Sequence, residues 1–255
     1  MRQPMHSLRS RLRAGETLYG SMISMASPAL AQTLADTGLD WLLIDLEHGA
    51  ITVESAQAMI AATAVADCTP LARVAWTVPW LAKPLLDSGA MGIVFPMVRT
   101  PEEARTAVAA CRYPPAGERG WGPFYAPSRW GMGPFDYTGA ADDSVLAIVL
   151  IEHVEAVDNI DTILGVPGID VAMIAPFDMS VSLGKPGAFD DPAFRAVFER
   201  AERAIRGSPA ALGGVAPTPE RAKELVGRGY RFVMLGYDVL IIDRAMRGFL
   251  EAARS

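Results

Sequence analysis

The stretch WLLIDLEHG, residues 41–49, decides how the chain is read. Trp41, Leu42, Leu43 and Ile44 form an unbroken apolar run, the pattern of a strand covered on both faces. The run then ends in Asp45, Glu47 and His48, closed by Gly49. A buried strand that finishes in two carboxylates and an imidazole needs an end that opens onto something polar.

Runs of the same kind recur along the chain. They are TLYGSMIS (17–24), PLARVAW (70–76), GIVFPMV (92–98), VLAIVLIE (145–152), DVAMIAP (170–176), ALGGVAP (211–217) and FVMLG (232–236). Between them lie helix-like segments at 28–38, 53–66, 79–89, 101–112, 153–165, 191–207, 219–229 and 238–254. Thr52 and Thr100 are placed as N-caps, Pro101 follows as the first helical residue, and Gly38 and Gly89 stand as stops. Pro84 predicts a kinked or shortened third helix.

Eight buried strands, each followed by a helix, predict an α/β fold of the (β/α)8 TIM-barrel type in a single domain. A doubly wound sheet is the alternative, but no GxGxxG follows the first strand. No linker or change of composition divides residues 1–255, with 1–15 read as an N-terminal extension. One connection is long. Residues 113–144 are rich in Gly, Pro and aromatics, the composition of a lid or an interface loop.

Bulk properties narrow the function. The net charge is −6 and no block of Lys or Arg stands out, so nucleic acid is not an expected partner. No apolar run approaches the ~20 residues of a membrane helix. The basic start MRQPMHSLRSRLRAG has no apolar core of a secretory signal. Cys68 and Cys111 are far apart, without metal-ligand spacing, which suits a reducing, cytoplasmic setting. Apolar residues reach 51%, which fits a subunit interface and equally an Ala-rich chain.

In such a barrel the strands' C-terminal ends form the active face. Asp45, Glu47 and His48 fall there, as do Arg73 within strand three, Glu152 at the end of strand five and Asp178 after strand six. Glu152 and Asp178 form a hard-oxygen pair suited to Mg2+ or Mn2+, or else two acids capping the helices that follow. Arg73 in an apolar strand needs an anion, either Asp45 or a bound substrate. His48 beside two acids could act as a base. Asp87, late in the third helix, reads by spacing alone as an exposed helix residue. His6 falls in the N-terminal tail.

Several motifs together resemble one family. IDLEHG, RVAW, LLDSGA, RYPP, SRWG, IEHVEAVDNID and the PFDMSVSLG segment are similar to those of the HpcH/HpaI aldolases, from about Gly20 to Asp238. The resemblance implies a (β/α)8 barrel and a divalent-metal-dependent class II aldolase (a carbon–carbon lyase) that cleaves 4-hydroxy-2-oxo acids to pyruvate and an aldehyde. It implies Glu152 and Asp178 as ligands of Mg2+, Mn2+ or Co2+. Arg73 would stabilise the enolate, His48 would accept the proton, and Asp87 would raise the basicity of His48. Asp45 and Glu47 would orient His48 or waters on the metal, and backbone N–H groups near Phe177 and Asp178 would hold the pyruvate carboxylate. It also implies a homo-oligomer, trimeric or hexameric, with the helix at 238–255 packed on a neighbour. Arg119 and Arg129 are the loop residues expected to reach across that interface.

The chain departs from the family at Leu150, where many members carry Gln, at Phe177, where Ala is frequent, and at Thr77-Val78 in place of Asn-Asp. Leu150 and Phe177, both expected to touch substrate, predict a smaller or more apolar acceptor. Three alternatives stand beside this reading. They are a Schiff-base aldolase using Lys185, a CoA-thioester lyase of the citryl or malyl type, and a non-catalytic metabolite-binding barrel.

Overall fold

The computed structural model describes residues 8–255 and confirms the predicted barrel; the expected tail position of His6 lies outside the described residues. Eight parallel strands close in chain order, β1 pairing with β8. They are β1 Leu18–Ile23, β2 Trp41–Asp45, β3 Thr69–Arg73, β4 Gly92–Phe95, β5 Leu146–Ile151, β6 Val171–Ile174, β7 Ala211–Val215 and β8 Phe232–Tyr237. Most strands stop one to three residues short of their apolar run, because the last residues leave the ladder to form the rim.

The helices are α1 Leu8–Arg13, α2 Pro28–Ala35, α3 Val53–Ala62, α4 Pro79–Ser88, α5 Pro101–Ala110, α6 Ala126–Trp130, α7 Pro134–Ser144, α8 Val154–Asp158, α9 Ile160–Leu164, α10 Pro176–Ser182, α11 Pro192–Arg206, α12 Pro219–Gly227 and α13 Asp238–Arg254. Thr52 and Thr100 cap α3 and α5 as expected, the latter in a full capping box with Glu103. Helix α4 runs through Pro84 and ends at Gly89, whose φ of 108° few other residues would accept.

Two expectations change. The 113–144 connection contains α6 and α7, each with a proline in its first two positions, so it is partly helical, and Tyr113, Trp130 and Tyr137 are buried while its other aromatics stay exposed. The helix expected over 153–165 divides at Asn159 into α8 and α9.

The core has two layers. Leu18, Leu43, Leu71, Val94, Ile148 and Leu150 point inward and fill the barrel. Trp41 stacks on Phe232 at 4.1 Å in that interior. A Cβ at Gly20 would meet the Trp41 ring at 2.0 Å, so only glycine fits beside it. Helix α1 closes the bottom: Leu8 joins the inner layer, and Arg9 and Arg112 both bond Asp170 ahead of β6. At the top, Asp238 accepts from the Ser24 and Met25 amides and seals the β8–β1 seam.

Candidate active site

Parallel register places the charged groups. Asp45 and Arg73 are direct partners in the β2–β3 ladder, the last residues of both strands. Their side chains form a two-pronged pair, Nε to Oδ1 and Nη2 to Oδ2, both at 2.8 Å. Asp45 is fully buried and also accepts the Glu47 amide at 3.0 Å. Burial pushes its carboxyl up, but the Arg73 hydrogen bond and charge outweigh this and hold it below the usual range.

Gly49 lets the chain turn back tightly after β2. A Cβ there would lie 2.3 Å from the Asp45 carbonyl and 2.9 Å from that of Ser24. That turn presents Glu47 and His48 to the rim. The Glu47 carboxylate lies 3.0 Å from Arg73 Nη1, out of line for a hydrogen bond, and its buried Oε2 has no hydrogen-bond partner. His48 stands outward, 68% exposed, with Nε2 3.8 Å from Glu47 Oε1.

Glu152 leaves β5 pointing inward, above Leu150 on the same strand face, and is only 4% exposed. Its Oε1 accepts the Met97 amide at 2.6 Å. Met97 follows β4 with a φ of 55°, the one non-glycine described residue with positive φ. Nothing in its residue type signalled this role; the strain became visible only in the fold. Asp178 lies in the first turn of α10, exposed at the mouth.

Burial raises the carboxyls of Glu152 and Glu47 to about 7 each, and each also feels the charge of Asp178. Arg73 opposes both shifts but is already engaged by Asp45. Glu47, Glu152 and Asp178 are thus near enough to feel one another's charge, with Arg73 the cation beside them. Among the described residues, no group of three or more His, Cys, Asp or Glu gathers closely enough to hold a metal ion by itself.

Asp45, Glu47, His48, Arg73, Glu152 and Asp178 thus share one rim. Leu150 lies beneath it in the inner layer and Phe177 outside it, 62% exposed. Asp87 does not join them within one protomer. It lies in the last turn of α4, at the end away from the rim, where Arg119 Nη2 bonds it at 3.0 Å. Neither loop arginine reaches outward, which corrects that expectation. Arg119 is buried against Asp87 and over the Tyr113 ring, and Arg129 bonds Thr63 and covers Trp130. A buried guanidinium keeps the partners that desolvated it, so the loop's outward residues are instead Trp121, Phe124, Tyr125 and Phe135. Lys185 lies beyond α10, paired with Asp191 rather than at a strand end.

The geometry matches a known class. Residues 19–245 match the model of the HpcH/HpaI aldolase/citrate lyase family, and the chain belongs to that family. The 2-keto-3-deoxy-L-rhamnonate aldolase of Escherichia coli is 38% identical over 239 residues, 93% of this chain and 89% of that one. Among solved structures, an HpcH/HpaI aldolase/citrate lyase family protein of Burkholderia cenocepacia superposes with a TM-score of 0.90 at 33% identity, covering 97% of this chain and 99% of that one. An HpcH/HpaI aldolase of Desulfitobacterium hafniense gives 0.90 at 27% identity, over 98% and 97%. The chain is accordingly an enzyme, a carbon–carbon lyase of the aldolase type.

Proposed function

We propose that this lyase is divalent-metal-dependent and acts on 4-hydroxy-2-oxo acids, releasing pyruvate and an aldehyde, with Glu152 and Asp178 holding the cation. One observation carries the reading. The rim gathers Glu47, Glu152 and Asp178 beside one arginine that Asp45 already engages, so the carboxylates there outnumber the cation that faces them. Oxygen donors without His or Cys suit a hard cation that keeps open positions for substrate and water. A bound Mg2+, Mn2+ or Co2+ would supply Lewis acidity toward the keto oxygen of the 2-oxo acid.

The chain's own groups do the rest. The Met97 amide fixes Glu152 through Oε1 and leaves its second oxygen to serve the cation. Arg73, locked by Asp45, holds positive charge where an enolate oxygen develops, without reorganising during the reaction. The Phe177 and Asp178 amides at the start of α10 receive the pyruvate carboxylate. His48, exposed and close to Glu47, takes the proton of the 4-hydroxyl in cleavage and returns it in synthesis, at Nε2.

Asp87 would reach His48 only from a neighbouring copy, since it sits at the far end of its own α4. The same reading explains α13. Of its 17 residues only Asp238 is buried, and Val239, Ile242, Met246, Phe249 and Leu250 are left in solvent. That face fits a homo-oligomer, hexameric in the family's manner. Among the described residues no helix is long and apolar enough to cross a membrane. The two free, buried cysteines fit a reducing, cytoplasmic setting.

The deciding experiment is a panel of aldehydes with pyruvate, run with Mg2+, Mn2+ and Co2+ and with EDTA. Aldol products that vanish with EDTA and return with the cation support the reading. Glu152→Ala and Asp178→Ala should each lose both bound cation and product; a variant that keeps both removes the ligand assignment.

A further inference from the structure

Pyruvate has a place at the rim, but the other half of the substrate has none yet. Immediately outside the rim lies a cleft of about 680 Å³, between the start of α10, the end of β7 and one face of α11. Its wall is a run of four aromatic rings. Phe177 meets Phe189 edge-on at 5.1 Å, Phe189 meets Phe194 at 5.4 Å, and Phe194 meets Phe198 at 5.8 Å. The run begins at Phe177, which precedes Asp178 in the first turn of α10 and is 62% exposed, so the cleft comes nearest the rim at that residue.

The charge around it is already balanced. Three arginines line the cleft, and each is held by an acid: Arg195 by Asp190, Arg221 by Glu224 at 2.6 Å and Arg228 by Glu202 at 2.6 Å. An anionic guest would have to displace one of those acids, whereas an uncharged apolar guest only has to displace water from aromatic faces.

We propose that this cleft seats the substituent of the acceptor aldehyde, and that the substituent is uncharged and apolar, either aryl or branched alkyl. The inference rests on the aldolase reading of the rim and names the substrate class that reading leaves open. Phe177 forms the wall nearest Asp178, and Phe189 is the specificity-determining residue farther in.

The test compares kcat/KM for hydrocinnamaldehyde, butanal and a carboxylate-terminated aldehyde of similar length, each with pyruvate and Mg2+. Alongside, exchange of the pyruvate methyl protons for deuterium is followed by NMR with no aldehyde present. The unaltered enzyme should prefer hydrocinnamaldehyde over both others by at least about tenfold. Phe189→Ala, a change at a partly exposed position, should cut that preference about tenfold. Proton exchange, which involves no aldehyde, should stay within about twofold of the unaltered enzyme. Exchange without a preference overturns the inference alone, as does an equal loss on all three aldehydes. So does a Phe189→Ala variant that changes only the oligomer size on a sizing column, which would make the cleft an interface between copies. No exchange in the unaltered enzyme sinks the aldolase reading and the inference with it.

Discussion

Met97 turns its backbone N–H onto Glu152 Oε1 from 2.6 Å, and reaches that position only by adopting a φ of 55°. A strained residue is thus spent on orienting one carboxylate, at a cost of roughly 1–3 kcal/mol. Glu152→Gln keeps an acceptor for that amide and removes the charge. It should fold as well as the unaltered protein at pH 8, yet bind no divalent cation and make no product. Glu152→Ala leaves the amide unpaired and should lose about 1–3 kcal/mol of stability as well. Urea unfolding and calorimetric cation titration separate the two.

The Asp45–Arg73 pair gives a second contrast. Arg73→Lys keeps a charge but loses the fork that grips both Asp45 oxygens. It should lower kcat/KM on the order of a hundred- to a thousand-fold while the protein stays folded. Asp45→Asn leaves the buried guanidinium with only the misaligned Glu47 carboxylate as counter-charge and should cost about 3 kcal/mol in urea unfolding. Equal stability losses in both variants would contradict the assigned division between chemistry and scaffold.

The metal-free protein should lose stability as the pH rises from mildly acidic to neutral. Glu47 and Glu152 each titrate near 7 when folded, against an ordinary value of 4.5. The folded state therefore holds protons that the unfolded state has released. Their contribution is complete below pH 4.5 and is lost as the pH climbs through 7, by at most about 3 kcal/mol for either group. Added Mg2+ should reverse the trend, raising Tm more at pH 8 than at pH 5, with about 2.7 kcal/mol gained at a hundred times Kd. A Tm that rises across this range without cation would show that the carboxylates are compensated some other way.

His48 should matter to rate and not to fold. Its side chain is 68% exposed, so His48→Ala should change stability by no more than about 0.5 kcal/mol. Aldol turnover should fall roughly a hundred- to ten-thousand-fold with cation affinity unchanged. If Asp87 serves His48 from another copy, mixing His48→Ala with Asp87→Asn protein should restore part of the activity, because some sites then receive both native residues.

In the proposed homo-oligomer, the apolar face of α13 should hold the copies together. Charging it with Ile242→Asp and Phe249→Asp, both exposed in the single chain, should leave the barrel folded and yield a smaller particle by analytical ultracentrifugation. Retention of the original size would place the subunit contacts elsewhere.

Much of the barrel was legible because its signals are local. Unbroken apolar runs mark strands covered on both faces, and α13 matches the expected 238–254 segment residue for residue. The rim was legible for a related reason: in a (β/α)8 barrel a charged residue at the end of an apolar run has only one face to occupy. Short proline-opened helices such as α6 and α7 were not, because glycine and aromatic residues around them mask any period. Residues 41–49 show the limit well. The run from Trp41 to Asp45 predicts a buried strand, but not that Trp41 would demand glycine at position 20 on the neighbouring strand.

The order of residues alone determined the eight-fold alternation, the acids and arginine at the strand ends, and the family pattern they compose. These follow from hydrophobic period and from the rule that strand ends face one way. Only the tertiary structure decided who touches whom. It set Arg73 against Asp45 through register, bent Met97 toward Glu152, turned Arg119 inward onto Asp87, and lined up four phenylalanines beside the mouth. Such contacts join residues far apart in the chain, and their geometry is fixed by barrel closure and by competition for burial, which no local window of sequence contains.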